Sequence, residues 1–219
     1  MRLERSFDAM GTTYTVVAYG QDRFAVDAAI EETYEEVRRL DHLLSNYRPD
    51  SEWSLVNREA PRRPVEVSQE LFDLLARCVE YSRQSEGAFD ITVGPLMKLW
   101  GFYKGEGRVP HRAEIRAALT RIGWRHIQLD PQARTVRFTA PVEIDPGGIG
   151  KGYAVDRMAA ILRARGVASA LISAGRSSIY GIGAPPSEPR GWKVTIPDPR
   201  QPSRTAAEFY LRDFSMSTS

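Results

Sequence analysis

The hydrophobic pattern changes period several times along the chain. In "TTYTVVAYG", residues 12–20, β-branched and aromatic residues dominate and alternate with polar ones, which predicts a strand. The next stretch, "DRFAVDAAIEETYEEVRRLDHLLSNY", switches to a helical period. Ile30, Tyr34, Val37 and Leu44 recur on one face, acids come early, and Arg38 and Arg39 come late. A second helix begins near Ser68, whose hydroxyl can cap it, and runs to about Ser85 with Leu71, Leu74, Leu75 and Cys78 in one register. "AEIRAALTRIG" predicts a third helix, closed by Gly123.

The second half reads as hairpins around one long helix. "RHIQLDPQARTVRFTAPVEID" is a hairpin turning at Asp130 and Pro131, and it leads straight into "IDPGGIGKGYAVD", residues 144–156. "GYAVDRMAAILRARG" is a helix with Val155, Met158, Ile161 and Leu162 on one face and Gly166 as its stop. "ASALISAGRSSIYGIG" is strand, turn and strand; "GWKVTIPDP" and "AAEFYLRDFSMSTS" are two further strands. Two stretches lack a clean period. "LSNYRPDSEWSLVN", residues 44–57, reads as a polar turn region around Tyr47, and "EGAFDITVGPLMKLWGF", residues 86–102, holds Asp90 inside an apolar segment. A charge so placed is costly without a partner or a ligand. No repeat, low-complexity run or linker interrupts the 219 residues, so a single domain over 1–219 is expected. Helices mixed with antiparallel hairpins make the expected fold class α+β.

Composition narrows the partners. Thirty Lys and Arg against 28 Asp and Glu give a net charge of +2, so no nucleic-acid footprint is indicated. Arg112, Arg116, Arg121 and Arg125 read as a solvated helix face. The single cysteine, Cys78, excludes an internal disulfide and a cysteine zinc site, and its register makes it a buried apolar residue. No apolar run approaches the ~20 residues of a membrane span. The chain as written reads as cytoplasmic, and as periplasmic or membrane-anchored if a leader once preceded it.

The glycine loop is the strongest chemical signal. It lacks the glycine spacing of a Walker A loop and of G-x-G-x-x-G. What it has is a strand, Asp145, the Gly147-Gly148 pair, Lys151 and a helix start. Backbone amides at a helix start beside a lysine form an anion site. The other reading is a tight strand-to-helix turn with a surface lysine.

Five stretches in order, "AMGTTYTV", "LSNYRPDSEWSLVN", "GAFDITVGPLMKLWGF", "IDPGGIGKGYAVD" and "ALISAGRSSIYGIG", resemble the ApbE family of FAD:protein FMN transferases, from Met10 to the end of the chain. The resemblance implies a largely antiparallel mixed sheet with packed helices. It implies transfer of the FMN moiety of FAD to a threonine of an acceptor flavoprotein, with Mg²⁺ bound and AMP released. Its alternatives are an FAD pyrophosphatase and an FAD-binding protein without transferase activity. By matching positions, Met10, Tyr47, Ala88, Phe89, Asp90, Asp145 and Lys151 would contact FAD, and the Gly148 carbonyl would be a magnesium ligand. Two departures stand out. Arg176 and Ser177 occupy positions where the family commonly has Gly-Asp. The chain also stops at Ser219, inside a motif after which the family carries its expected histidine base and its acidic and threonine metal ligands. His42, His111 and His126 match none of these, so no catalytic residue is assigned, and the stretch reads as lacking a C-terminal segment.

Overall fold

The computed structural model describes residues 1–103, 107–201 and 203–218; Ser219, the end of the last expected strand, lies outside them. Two compact units divide the chain. Met1–Asp41 and Lys151–Ser219 form the first, and the contiguous segment His42–Gly150 forms the second.

The first unit is built on a five-stranded antiparallel sheet in the order β1-β2-β6-β7-β10. Strands β1 (Arg2–Ala9) and β2 (Thr12–Tyr19) form a hairpin, and β2 pairs on its other side with β6 (Ser169–Ala174). Successive side chains in a strand point to opposite faces. Val16 and Val17 of β2 are both buried, so both faces of the sheet are covered. Ala170, Ile172 and Ala174 of β6 are buried at every second position. The helices of this unit are α1 (Arg23–Leu44), which runs three residues past the unit boundary, and α6 (Gly150–Ala164). Val26, Ile30, Val37 and Leu40 of α1 and Ala154, Met158 and Leu162 of α6 are buried, as the helical period requires. Arg157 of α6 donates to Glu36 of α1 at 3.0 Å. A second apolar cluster joins Val17 to Ile179 of β7 (Ser178–Ile182), Trp192 of β8 (Trp192–Pro197) and Leu211 of β9 (Thr205–Leu211).

The second unit holds four helices and a small antiparallel sheet in which β5 (Thr135–Phe138) lies between β3 (Val65–Glu66) and β4 (Ile127–Asp130). Helix α3 (Gln69–Gln84) lies where the pattern places it: Ser68 accepts the Leu71 amide as its cap, Ser85 closes it, and Leu71, Leu74, Leu75 and Cys78 are buried. Burial pushes the Cys78 thiol up to about 12. The predicted hairpin is β4 (Ile127–Asp130) with β5 (Thr135–Phe138).

Four expectations need correction. Residues 44–57 are not only a turn: α2 (Glu52–Glu59) starts there, capped by Ser51 and burying Trp53 and Val56. The aperiodic stretch 86–102 contains a short helix, α4 (Gly94–Leu99), too brief to show a period. Helix α5 (Arg112–Leu119) buries no residue and ends four positions before Gly123, so Arg121 and Arg125 lie outside it. Gly123 instead opens the 3-10 turn Trp124–His126, with a φ of 154°. The last segment is two strands, because Leu211 of β9 pairs with Trp192 while Phe214 of β10 (Phe214–Ser217) pairs with Gly181. The change of sheet occurs at Asp213, which takes a φ of 52° and whose carboxylate accepts Arg163 at 2.8 Å. Truncating the fully buried Met158 to alanine should cost about 2–5 kcal/mol. A fall in the urea midpoint at unchanged m-value is the expected result.

Candidate functional site

In the second unit the site is assembled around the peptide of Ile144. Asn57 of α2 accepts the Ile144 amide through Oδ1 at 2.8 Å and donates to its carbonyl through Nδ2 at 2.9 Å. Trp53 Nε1 donates to the same carbonyl at 3.1 Å. The next amide, Asp145, donates to the Ile91 carbonyl at 2.7 Å. Two elements therefore pin the chain just before the glycines.

Asp145 is buried, as its setting predicts, with 6% of its surface exposed. A buried carboxylate requires donors. Oδ1 accepts the Gly147 amide at 2.8 Å, an Asx-type turn. Oδ2 accepts Asn46 Nδ2 at 2.8 Å and the Tyr103 hydroxyl. Position 147 demands glycine, since a Cβ there would stand 2.7 Å from Asp145 Oδ1. The loop then enters α6, with the Gly150 amide on the Pro146 carbonyl at 2.7 Å.

Tyr47 is largely exposed, and its ring lies 5.6 Å from that of Tyr103. Burial first, and the Asp145 hydrogen bond second, push the Tyr103 phenol well above its ordinary range. An open cleft of about 600 Å³ is lined by Asn46, Tyr47, Arg58, Lys98, Tyr103 and Glu143, among others. Phe89 lies against Gly148: a Cβ at 148 would be 3.2 Å from its ring. Ala88 is exposed, and the Phe89 amide donates to Ser85 Oγ at 3.0 Å. Asp90 is satisfied by the chain itself. Oδ1 accepts the Thr92 amide at 2.8 Å and its hydroxyl at 2.7 Å, and Oδ2 accepts the Trp124 amide at 2.9 Å. Tyr103 thus meets both Tyr47 and Asp145, and Phe89 adjoins Gly148, while the bonds of Asp90 run to Thr92 and Trp124.

The first unit carries Met10 and Lys151. Met10 and Gly11 form the two-residue turn of the β1–β2 hairpin, at φ of 50° and 68°. Positive φ at both central positions is the turn whose twist fits a tight hairpin. Met10 Sδ accepts the Tyr14 hydroxyl at 3.2 Å. Lys151 is not in the loop but is the second residue of α6, half-buried, and its ammonium donates to Ser177 Oγ at 2.8 Å. Ser177 belongs to the β6–β7 loop. In that loop the Gly175 amide donates to the Thr13 carbonyl at 2.9 Å, and a Cβ on Gly175 would stand 2.1 Å from Thr12 Oγ1. The hairpin of Met10 and the loop that holds Lys151 are therefore packed together.

Asn46, Asn57, Tyr103 and Thr92 escape the sequence reading. Asn46 sits beside Tyr47 and Tyr103 follows Phe102 directly, but polar partners so far apart leave no periodic trace. The histidines have other neighbours: His42 lies on α1 near Asp50, His111 caps α5, and His126 pairs Nδ1 with Thr139 Oγ1 at 3.0 Å from the 3-10 turn rather than from a strand. Among the described residues no group of three His, Cys, Asp or Glu could hold a metal. Magnesium takes six oxygens, usually with one or two carboxylates. The candidate ligand from the glycine loop is a single neutral carbonyl, Gly148, so the described donors do not complete a magnesium site.

An α+β protein with two hairpin turns packed together, and a glycine loop running from a pinned, buried aspartate into a helix start, is what the geometry defines. The ApbE family model matches residues 10–219, so the chain belongs to the ApbE family. It is 31% identical over 196 residues to an FAD:protein FMN transferase of Klebsiella pneumoniae, covering 87% of this chain and 55% of that protein. A Treponema pallidum protein of the same name is 31% identical over 225 residues, covering 96% of this chain and 62% of the other. The chain thus spans about half to three-fifths of these relatives. The ApbE protein of Thermotoga maritima superposes with a TM-score of 0.87 at 30% identity, over 98% of this chain and 69% of that one. The flavin transferase ApbE of Vibrio cholerae does so with a TM-score of 0.84 at 26% identity, over 98% and 70%. The largely antiparallel mixed fold agrees with the sequence reading.

Because three protein donors converge on Asp90, Asp90→Ala should cost about 1–3 kcal/mol of stability by leaving buried or half-buried donors unpaired. Thermal unfolding measured without any nucleotide checks this.

Proposed function

We propose that this protein binds FAD and transfers its FMN moiety to a threonine hydroxyl of an acceptor protein, releasing AMP. Membership of a family whose compared relatives are named FAD:protein FMN transferases, over 87–96% of this chain, carries the reading. The local geometry supports it. The Gly147, Ile149 and Gly150 amides are already donated within the loop, so what this segment offers an anion is the positive end of the α6 dipole and the compact charge of Lys151 in the first turn. The partner of that ammonium is the Ser177 hydroxyl, which accepts a hydrogen bond without cancelling the charge. In the transfer, the acceptor hydroxyl loses its proton to solvent as its oxygen bonds to the flavin-side phosphorus, the pyrophosphate P–O bond breaks, and AMP departs with the bridging oxygen. Such chemistry is mostly positioning and charge neutralisation.

In this reading Lys151 and the α6 start bind the phosphates. Asp145 shapes the loop, and within the second unit Tyr47, Ala88 and Phe89 are the residues offered to the flavin nucleotide. Asp90 holds its segment in place. Magnesium, with the Gly148 carbonyl as one ligand, would offset pyrophosphate charge when bound; no step here depends on it.

The test is intact mass of an acceptor flavoprotein after incubation with the protein, FAD and Mg²⁺, with a parallel EDTA arm for metal dependence. A mass gain of FMN less water, with AMP formed, is expected. FMN and AMP without acceptor modification would instead establish hydrolysis, and no turnover would leave only binding. FAD should bind more tightly than riboflavin, which offers the lysine no phosphate. Lys151→Ala should weaken FAD binding about ten-fold or more, since a hydrogen bond to a charged group is worth roughly 1.5–3 kcal/mol. Riboflavin affinity should not change. Titration of both ligands against both proteins decides the point.

A further inference from the structure

We infer that Tyr103 is a positioning residue of the nucleotide site, a clamp that fixes Asp145 and through it the glycine loop. The inference rests on the flavin reading for its function and on geometry alone for the clamp. Three atoms close a triangle. Asn46 Nδ2 donates to the Tyr103 hydroxyl oxygen at 2.7 Å and to Asp145 Oδ2 at 2.8 Å, and the Tyr103 hydroxyl donates to the same Oδ2. The other carboxylate oxygen holds the Gly147 amide. The orientation of one buried carboxylate therefore sets the first turn of the loop, and Tyr103 and Asn46 set that orientation. Asn46 is the residue before Tyr47, and the Tyr103 ring leans on Tyr47, so the triangle also fixes the aromatic wall of the cleft. The groups facing Tyr103 are Asp145, Glu143 and Tyr47, with the Lys98 ammonium 5.9 Å over its ring.

Tyr103→Phe keeps the ring and removes only the hydroxyl. FAD affinity should fall about ten-fold. In an Asp145→Asn background the same change should cost almost nothing, because coupled residues are non-additive. An equal loss in both backgrounds would overturn the clamp, as would unchanged affinity in the single variant. A readout without ligand is the alkaline absorbance titration of tyrosine. Asp145→Asn should bring one phenol to ionise at lower pH than in the wild type, and that phenol should vanish in Tyr103→Phe. If no phenol moves, Tyr103 does not hold Asp145. The comparison of wild type with Asp145→Asn needs no Tyr103 variant, so it decides even if Tyr103→Phe does not fold. Wild-type protein that binds no FAD would overturn the flavin reading, and the titration would still judge the clamp.

Discussion

The grip of Asn57 on both polar groups of the Ile144 peptide is the interaction on which the second unit turns. A side-chain amide presents a donor and an acceptor in the geometry of a neighbouring strand. Here it replaces a strand where the chain leaves the β4–β5 hairpin and before it enters α6. Had that peptide been left to water, Asp145 would have no fixed starting point. With Asn57 and Trp53 on one residue and the Ile91 carbonyl on the next, the aspartate is delivered already aimed. The glycines that follow are then free to serve the turn rather than to stabilise it.

The charges of the two units are treated differently. Asp145 and Asp90 are each met by several neutral donors, so their charge is spread over amides and hydroxyls. Lys151 is met by one hydroxyl. Neutral hydrogen bonds stabilise a charge without removing it, whereas an ion pair would mask it. The serine at 177, a neutral partner, therefore leaves the lysine field open to an anion.

Legibility in the sequence followed the length and regularity of each signal. Helix α3 could be read almost to the residue because a serine cap, four apolar positions in register and a serine stop agree. Helix α2 could not, because its eight residues bury only Trp53 and Val56 behind a run of turn-forming residues. The break of the last segment into β9 and β10 falls at Asp213, whose carboxylate meets Arg163, fifty positions away, and the Gly183 amide. The site divides the same way. Asp145 announced itself as an acid between apolar residues and glycines. Its partners Asn46 and Tyr103 lie 99 and 42 positions from it, and no local pattern connects them.

The strand order has a kinetic meaning. Strand β2 finds its second neighbour only in β6, so Tyr14 waits for Ala174. At synthesis rates of roughly 5–20 residues per second, that interval is about 8–32 s. The whole second unit, His42–Gly150, is made during the wait. Its contacts are closer in sequence, and loop closure favours near partners over distant ones. The inserted segment can thus be folded while the β1–β2 hairpin still carries an unpaired strand edge. Between those two events the nascent chain depends on the short turn at Met10 and Gly11, and on whatever shields β2, to keep that edge from pairing with another chain.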